Sequence, residues 1–225
     1  MASNPETRSP RAILLALVAG LVVLLAACGS GSSSDAADSA NSAGGSSTKV
    51  QGVQRTPPLE VGSASLPQVD PSGKQTPFAF KAPKGDLLFV AFGYTNCPDV
   101  CPTTLSDIRT AKSQLGAEGD RVGVAFATVD PKRDTAKVMN EYLGSFVDGG
   151  HPLRTTDPAQ LKAAQDAFQI TSEVVEQPDG KVEVSHSARS FVVNDKGQVV
   201  VEWAFGTGSK TMASDLRLLL QNSGA

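Results

Sequence analysis

Two cysteines, Cys97 and Cys101, lie four positions apart, and no other cysteine follows position 28. An apolar run at 87–92 precedes them, and an amphipathic segment from Pro102 onward follows. This order predicts a strand-to-helix turn, where the start of a helix favours the thiolate. In a helical turn the two Cα atoms would be about 6 Å apart, which suits either a disulfide or a shared metal ion. The spacing therefore leaves both chemistries open.

The chain contains two histidines, His151 and His186. His186 comes just before a predicted strand at 190–193 and is expected to lie in the loop that precedes this strand. Two thiolates and one imidazole form a soft three-ligand set that favours Cu(I), whereas Zn(II) usually takes a fourth ligand. Cu(II) would need an added water or carboxylate. His151, in a Gly-Gly-His-Pro segment, is predicted to be a solvated loop residue.

Strands and helices are expected to alternate around these residues. Apolar runs at 87–93 and 121–129 predict strands buried on both faces. Helical spacing of apolar residues follows each run, and it recurs at 158–168 and after Ser209. Turn residues at 178–180 and 194–197 predict two hairpins. The pattern indicates an α/β protein with a thioredoxin-like fold, a central mixed sheet flanked by helices and an added β-hairpin. In that fold the loop holding His186 packs beside the cysteine turn.

Three motifs occur in order, GYTNCPDVCPT at 93–103, VDPKRDT at 129–135 and HS at 186–187. With them the chain resembles the Sco/SenC family of membrane-anchored, thioredoxin-like copper chaperones, which help to assemble the dinuclear copper centre of cytochrome c oxidase subunit II. The resemblance covers roughly residue 68 to the C-terminus. It implies that Cys97, Cys101 and His186 bind one copper ion, with Cu(I) favoured, and that Asp130 lies near it.

Other side chains around these motifs have candidate supporting roles. Asp99, between the cysteines, would either approach the metal or place favourable charge at the helix start. Tyr94 is expected to pack around the site and exclude water. Asp134 precedes a predicted helix and is expected to cap it.

The N-terminus predicts export and lipid anchoring. Arg8 and Arg11 precede an apolar run at 12–27, and LAAC at 25–28 resembles a bacterial lipobox. We expect a signal peptide at 1–27, a lipidated Cys28 with a flexible linker at 28–50, and one domain at 51–225. A plain secretory signal is the alternative. The protein is thus expected on the extracytoplasmic side of the cell membrane, although the family's usual anchor is a transmembrane helix.

Composition excludes some partners. The net charge of −3 gives no basis for nucleic-acid binding. The expected partner is cytochrome c oxidase subunit II or another copper enzyme, and a monomer is expected.

Three other functions compete with copper binding for the two cysteines. A structural disulfide is one. A thiol–disulfide oxidoreductase is another, with Cys97 as the attacking thiol and the copper-ligand cysteines of a partner as its substrate, and this activity can coexist with copper delivery. A peroxiredoxin-like peroxidase fits poorly, because that family has Thr three residues before its cysteine, whereas Thr95 is two before Cys97. A mainly non-enzymatic role is expected.

Overall fold

The computed structural model describes residues 48–223. The predicted signal peptide, the predicted lipidation site Cys28 and nearly all of the predicted linker lie outside the described residues. Within the described part, no helix is both long and apolar enough to cross a membrane.

Nine strands and five helical segments make up the described residues. The strands are β1 Ser65–Val69, β2 Gln75–Ala79, β3 Leu87–Gly93, β4 Val122–Thr128, β5 His151–Leu153, β6 Ser172–Glu176, β7 Val182–His186, β8 Arg189–Val193 and β9 Val199–Ala204. The helices are α1 Val100–Leu115, α2 Ala136–Gly144, α3 Pro158–Ala167 and α4 Ser209–Ser223, with a short 3-10 helix at Gly116–Arg121.

The main sheet has seven strands in the order β2-β1-β5-β4-β3-β8-β9. Strands β3, β4 and β5 are parallel, and the remaining pairs are antiparallel. Strands β6 and β7 form a separate antiparallel hairpin. The predicted α/β fold, with a central mixed sheet, flanking helices and an added hairpin, is confirmed.

Strand β3 is buried along its whole length because both faces of the sheet are covered. Leu87, Phe89 and Ala91 join one hydrophobic cluster, and the alternate residues join the other. This alternation is the two-residue period of a strand. The continuous apolar run at 87–92 is thus explained by two separate cores, and the strand delivers its last residue, Gly93, to the cysteine turn.

Helix α1 begins at Val100 and turns a stripe of Leu105, Ile108, Ala111 and Leu115 toward the core. Cys101 lies in its first turn and is buried with this stripe. The helix is therefore fixed against the sheet by its apolar face, and that packing also fixes the second cysteine.

Some local predictions were wrong. His151 begins β5 and is half-buried; its Nδ1 is 3.0 Å from Oε1 of Gln68, and its ring packs on Phe78. Burial lowers the pKa of His151, so it is not a solvated loop residue. His186 is the last residue of β7 and belongs to the added hairpin, not to a loop.

Residues 51–61 run beside β9, and we call this segment the N-terminal strap. Val53 and Glu202 exchange two backbone hydrogen bonds, each 2.9 Å long. The backbone N–H groups of Gln51 and Gly52 donate to the carboxylate of Asp215 on α4, which also accepts from Nε1 of Trp203. The strap is therefore attached both to the sheet and to the last helix.

Candidate metal centre

The turn between β3 and α1 presents the two cysteines. The N–H of Cys97 donates to the carbonyl of Tyr94 at 3.2 Å, and the N–H of Cys101 lies 3.3 Å from Sγ of Cys97. The Cys97 sulfur thus accepts one of the N–H groups that the first turn of a helix leaves free. Both cysteines are free thiols, 9% and 3% exposed respectively.

His186 reaches the turn from the end of β7. Its Nδ1 lies 3.1 Å from the carbonyl oxygen of Ser187, which can only accept, so Nδ1 carries the proton. Nε2 is then unprotonated, and it lies 3.8 Å from Sγ of Cys101. Burial lowers the pKa of His186, which favours the neutral imidazole that metals need.

The ligand atoms of Cys97, Cys101 and His186 all lie within 4.8 Å of one another. Among residues 48–223, this is the only group of three or more Cys, His, Asp or Glu side chains with such spacing. A metal held in a trigonal plane by bonds of about 2.0–2.3 Å separates its ligand atoms by about 3.5–4.0 Å. The three side chains therefore need only small adjustments to bind one metal ion.

Cys101 is the most buried of the three groups. Burial is the main cause that raises its pKa, and the neighbouring Cys97 raises it further. The Cys101 thiol consequently keeps its proton at neutral pH, contrary to the expectation that the helix start favours its thiolate. A metal ion must displace that proton in order to bind.

Tyr94 packs against the imidazole, as its predicted role requires. The two ring centroids are 6.0 Å apart and the planes meet at 89°. The guanidinium carbon of Arg133 lies 5.8 Å from the centre of the tyrosine ring. Burial raises the pKa of Tyr94, with a further contribution from Cys97. The Tyr94 ring thus contacts both the imidazole of His186 and the guanidinium group of Arg133.

The two predicted acidic neighbours behave differently. Asp130 is buried and forms an ion pair with Arg133. It is not one of the three residues whose ligand atoms converge, Cys97, Cys101 and His186. It contacts the site indirectly, because Arg133 lies over the Tyr94 ring. Asp99 is exposed, and its side chain makes no capping hydrogen bond at the start of α1.

Asp134 has a role that the sequence reasoning missed. The predicted helix cap is wrong, because the Thr135 hydroxyl accepts from the N–H of Val138 instead. Asp134 is fully buried and accepts hydrogen bonds from the backbone N–H and hydroxyl of Thr95 and from the hydroxyl of Thr128. It therefore ties the cysteine turn to the end of β4. In the sequence, an aspartate three residues after Pro131 and just before a helix fits a helix cap equally well. Nothing local indicates that its carboxylate accepts hydrogen bonds from Thr95 and Thr128.

Gly93 makes room for the second thiol. A Cβ atom at this position would lie 2.5 Å from Sγ of Cys101 and 3.0 Å from the ring of Phe126. The close approach of the strand to the sulfur requires glycine here, a constraint that only the tertiary structure reveals.

Known proteins share this sequence and fold. The SCO1/SenC family model matches residues 70–221. A SCO2-like protein of Rickettsia conorii is 30% identical over 139 residues, covering 60% of this chain and 66% of the relative, just under two thirds. A copper-bound ScoI structure from Bradyrhizobium japonicum is 31% identical with a TM-score of 0.58, over 68% of this chain and 96% of that one. The apo Sco1 structure from Thermus thermophilus is 28% identical with a TM-score of 0.63, over 75% and 95%. With a match over more than half of its length, this chain belongs to the SCO1/SenC family.

Proposed function

We propose that this protein is a copper chaperone that binds one copper ion through Cys97, Cys101 and His186. The observation that carries the proposal is the convergence of these three ligand atoms within 4.8 Å. The copper-bound ScoI relative, 31% identical, supports copper as the cargo. Two sulfur ligands and one imidazole favour Cu(I) over harder ions.

Delivery would proceed by ligand exchange. A three-coordinate copper ion leaves room for a ligand from the recipient, so metal passes without being released to solvent. Cys97 is the more exposed of the two thiols, and the neighbouring Asn96 and Pro98 are exposed as well. The recipient's ligand therefore approaches from the Cys97 side. The bond between copper and the buried Cys101 sulfur would be the last of the two copper–sulfur bonds to break.

The recipient in this proposal is the dinuclear copper centre of cytochrome c oxidase subunit II, or of another copper enzyme. The protein works on the extracytoplasmic side of the cell membrane, held by a lipid on Cys28.

An anaerobic Cu(I) titration of the reduced full chain against a competing chelator tests the copper site. We expect one tightly held copper per chain, loss of tight binding in Cys97→Ser and Cys101→Ser, and at least about 10-fold weaker binding in His186→Ala. His151→Gln is the matched control, because His151 lies outside the ligand group and should leave the affinity unchanged. Absence of tight binding in the parent, or equal binding in His186→Ala, would refute the copper site.

A second function, thiol–disulfide exchange, is favoured by one observation: two free thiols lie within 4.8 Å of each other. The Cys97 thiolate would attack a partner's disulfide to give a mixed disulfide. Cys101 would then attack Cys97, releasing two partner thiols and leaving a Cys97–Cys101 disulfide. Reduction of a disulfide-bonded peptide that persists in His186→Ala would establish this activity, whereas no reduction by the parent would exclude it.

A further inference from the structure

The buried carboxylate of Glu202 on β9 pairs with two arginines whose side chains are about one third exposed. Glu202 is 5% exposed. Its Oε2 accepts from Arg189 at 3.0 Å and from Arg55 at 3.2 Å, and Oε1 accepts from Nε of Arg55. Arg189 begins β8, and Arg55 belongs to the N-terminal strap. Because a buried carboxylate is costly when its partners are lost, this cluster holds all three side chains in one arrangement.

The same two arginines also hold Gln169. Nη1 of Arg55 lies 3.1 Å from Oε1 of Gln169, and Nη2 of Arg189 donates to the Gln169 carbonyl. Gln169 has a φ of 51°, an uncommon backbone conformation for a residue with a Cβ atom. The arginines thus fix the segment that leads out of α3 into β6.

From Gln169 the contacts continue to the metal ligand. Two residues further on, Thr171 accepts the N–H of Ser187 at 2.9 Å, and its own N–H lies 3.1 Å from the Ser187 hydroxyl. The carbonyl of Ser187 is the group that accepts from Nδ1 of His186. The residue that orients the imidazole is therefore fixed by the segment that the arginines hold.

The hairpin β6–β7 explains why such a support is needed. This hairpin pairs only with itself among the described strands, so the seven-stranded sheet does not place His186 by strand pairing. Gln169 lies on the chain entering the hairpin, and Arg189 lies on the chain leaving it. The Glu202 cluster therefore ties both ends of the hairpin to β9.

We infer that Glu202 is a positioning residue for His186, acting through Arg189, Arg55 and Gln169 on the hairpin that carries the imidazole. The inference rests on the proposed copper function. It also makes the N-terminal strap part of the support of the metal centre, because Arg55 supplies one of the two guanidinium groups.

The test replaces Glu202 by Gln in the full chain, which removes the charge with little change in shape. We expect the Cu(I) affinity to fall about 10-fold, the lower end of the effect of losing an outer-shell partner. Asp86→Asn is the matched control, since Asp86 also ion-pairs with an arginine, Arg121, but at the opposite end of β3 from the cysteines. It should change the affinity less than about twofold.

A double-mutant cycle separates positioning from general destabilisation. In a His186→Ala background, Glu202→Gln should cause no further loss of copper affinity, because its effect passes through the missing imidazole. An equal loss in both backgrounds would overturn the inference. Arg55→Gln provides a second variant that leaves Glu202 paired with Arg189, and it should weaken copper binding by a smaller factor than Glu202→Gln does.

A measurement without copper distinguishes failure of the inference from failure of the proposed function. Nitrogen-15 NMR of the histidine side chains should show His186 in a single tautomer, protonated at Nδ1, in the parent and in Asp86→Asn. Glu202→Gln should shift the His186 signals toward a mixture of tautomers and leave those of His151 in place. Unchanged His186 signals in Glu202→Gln would overturn the positioning role, whereas a parent that binds no copper would overturn the proposed function alone.

Discussion

The ring of Tyr94 meets the imidazole of His186 edge-on, with 6.0 Å between the centroids and 89° between the planes. Tyr94 directly follows β3, and His186 ends the separate hairpin β6–β7. This contact therefore joins the element that carries the cysteines to the element that carries the histidine. An edge-on aromatic pair adds about 0.5–1.5 kcal/mol beyond the area that it buries.

Tyr94→Ala should weaken copper binding about 10-fold, because the imidazole loses a wall that limits its orientation. Tyr94→Phe keeps the ring and should bind copper nearly as tightly as the parent. Both variants are measured by anaerobic Cu(I) competition. An affinity for Tyr94→Phe as low as that for Tyr94→Ala would assign the effect to the hydroxyl instead of the ring.

Gly93→Ala should damage the site directly. The new Cβ would lie 2.5 Å from Sγ of Cys101, so the sulfur or the strand must move. We expect a loss of about 1–3 kcal/mol in the free energy of unfolding, together with weaker copper binding. Urea unfolding and copper competition measure the two effects. Gly144→Ala is the control, because nothing lies within 4 Å of its Cβ position and alanine favours the helix.

Asp134→Ala should destabilise the protein by about 3 kcal/mol, because it leaves buried donors on Thr95 and Thr128 without an acceptor. Thr95→Val removes only one hydroxyl from this network and should cost about 1 kcal/mol. Equilibrium urea unfolding at neutral pH gives both values. Equal costs would show that the network does not converge on the carboxylate.

The stability of the copper-free, reduced protein should fall at alkaline pH. Burial raises the pKa of Cys101 in the folded chain above that of an unfolded thiol, about 8.5. Its stabilising contribution is complete below that pH and is lost as the pH rises above it. Between pH 8.5 and 9.5 we expect a decrease of up to about 1.4 kcal/mol per pH unit in the free energy of unfolding.

Cys101→Ser is the comparison for this pH dependence, since serine does not titrate in the range. Urea unfolding of both proteins at several pH values isolates the thiol from other titrating groups. Parallel curves for the two proteins would contradict the assignment.

Copper binding should show the reverse dependence. Because a metal must displace the Cys101 proton, the apparent affinity should rise about tenfold per pH unit for this proton between pH 6.5 and 8. Burial lowers the pKa of His186, so protonation of the imidazole competes only below the ordinary histidine range. Chelator competition across pH 5–8 measures the slope, and a flat profile would exclude both groups as ligands.

Local sequence patterns predicted the elements that build the centre of the fold. The apolar runs of β3 and β4 and the stripe of α1 are continuous signals, and both hairpins have clear turn residues. Strands β1, β2 and β5 were missed because they are short, contain proline and alternate poorly. Strand β5 pairs with β4 and β1, which are distant in sequence and lie outside any local window, whereas β1 and β2 pair locally across the turn at 70–74.

In the candidate metal centre, the ligands were predicted from the sequence and the supporting residues were not. The residue types and motif order pointed to Cys97, Cys101 and His186, and the structure brings their ligand atoms together. The roles of Gly93, Asp134 and Glu202 were not predicted. Each depends in part on contacts between distant segments, such as the 3.0 Å approach of a Cβ atom at position 93 to the ring of Phe126, and residue type alone does not specify such contacts.

The N-terminal strap has a practical consequence for any shortened form of this protein. The family match begins at residue 70, downstream of the strap and of β1. A fragment cut at that boundary would lose Val53, whose backbone pairs with Glu202 on β9. It would also lose the N–H groups of Gln51 and Gly52, which donate to Asp215. The uncovered edge of β9 would then present unpaired backbone groups to a strand of another copy. In the intact chain, the pairing of Val53 with Glu202 covers this part of the β9 edge.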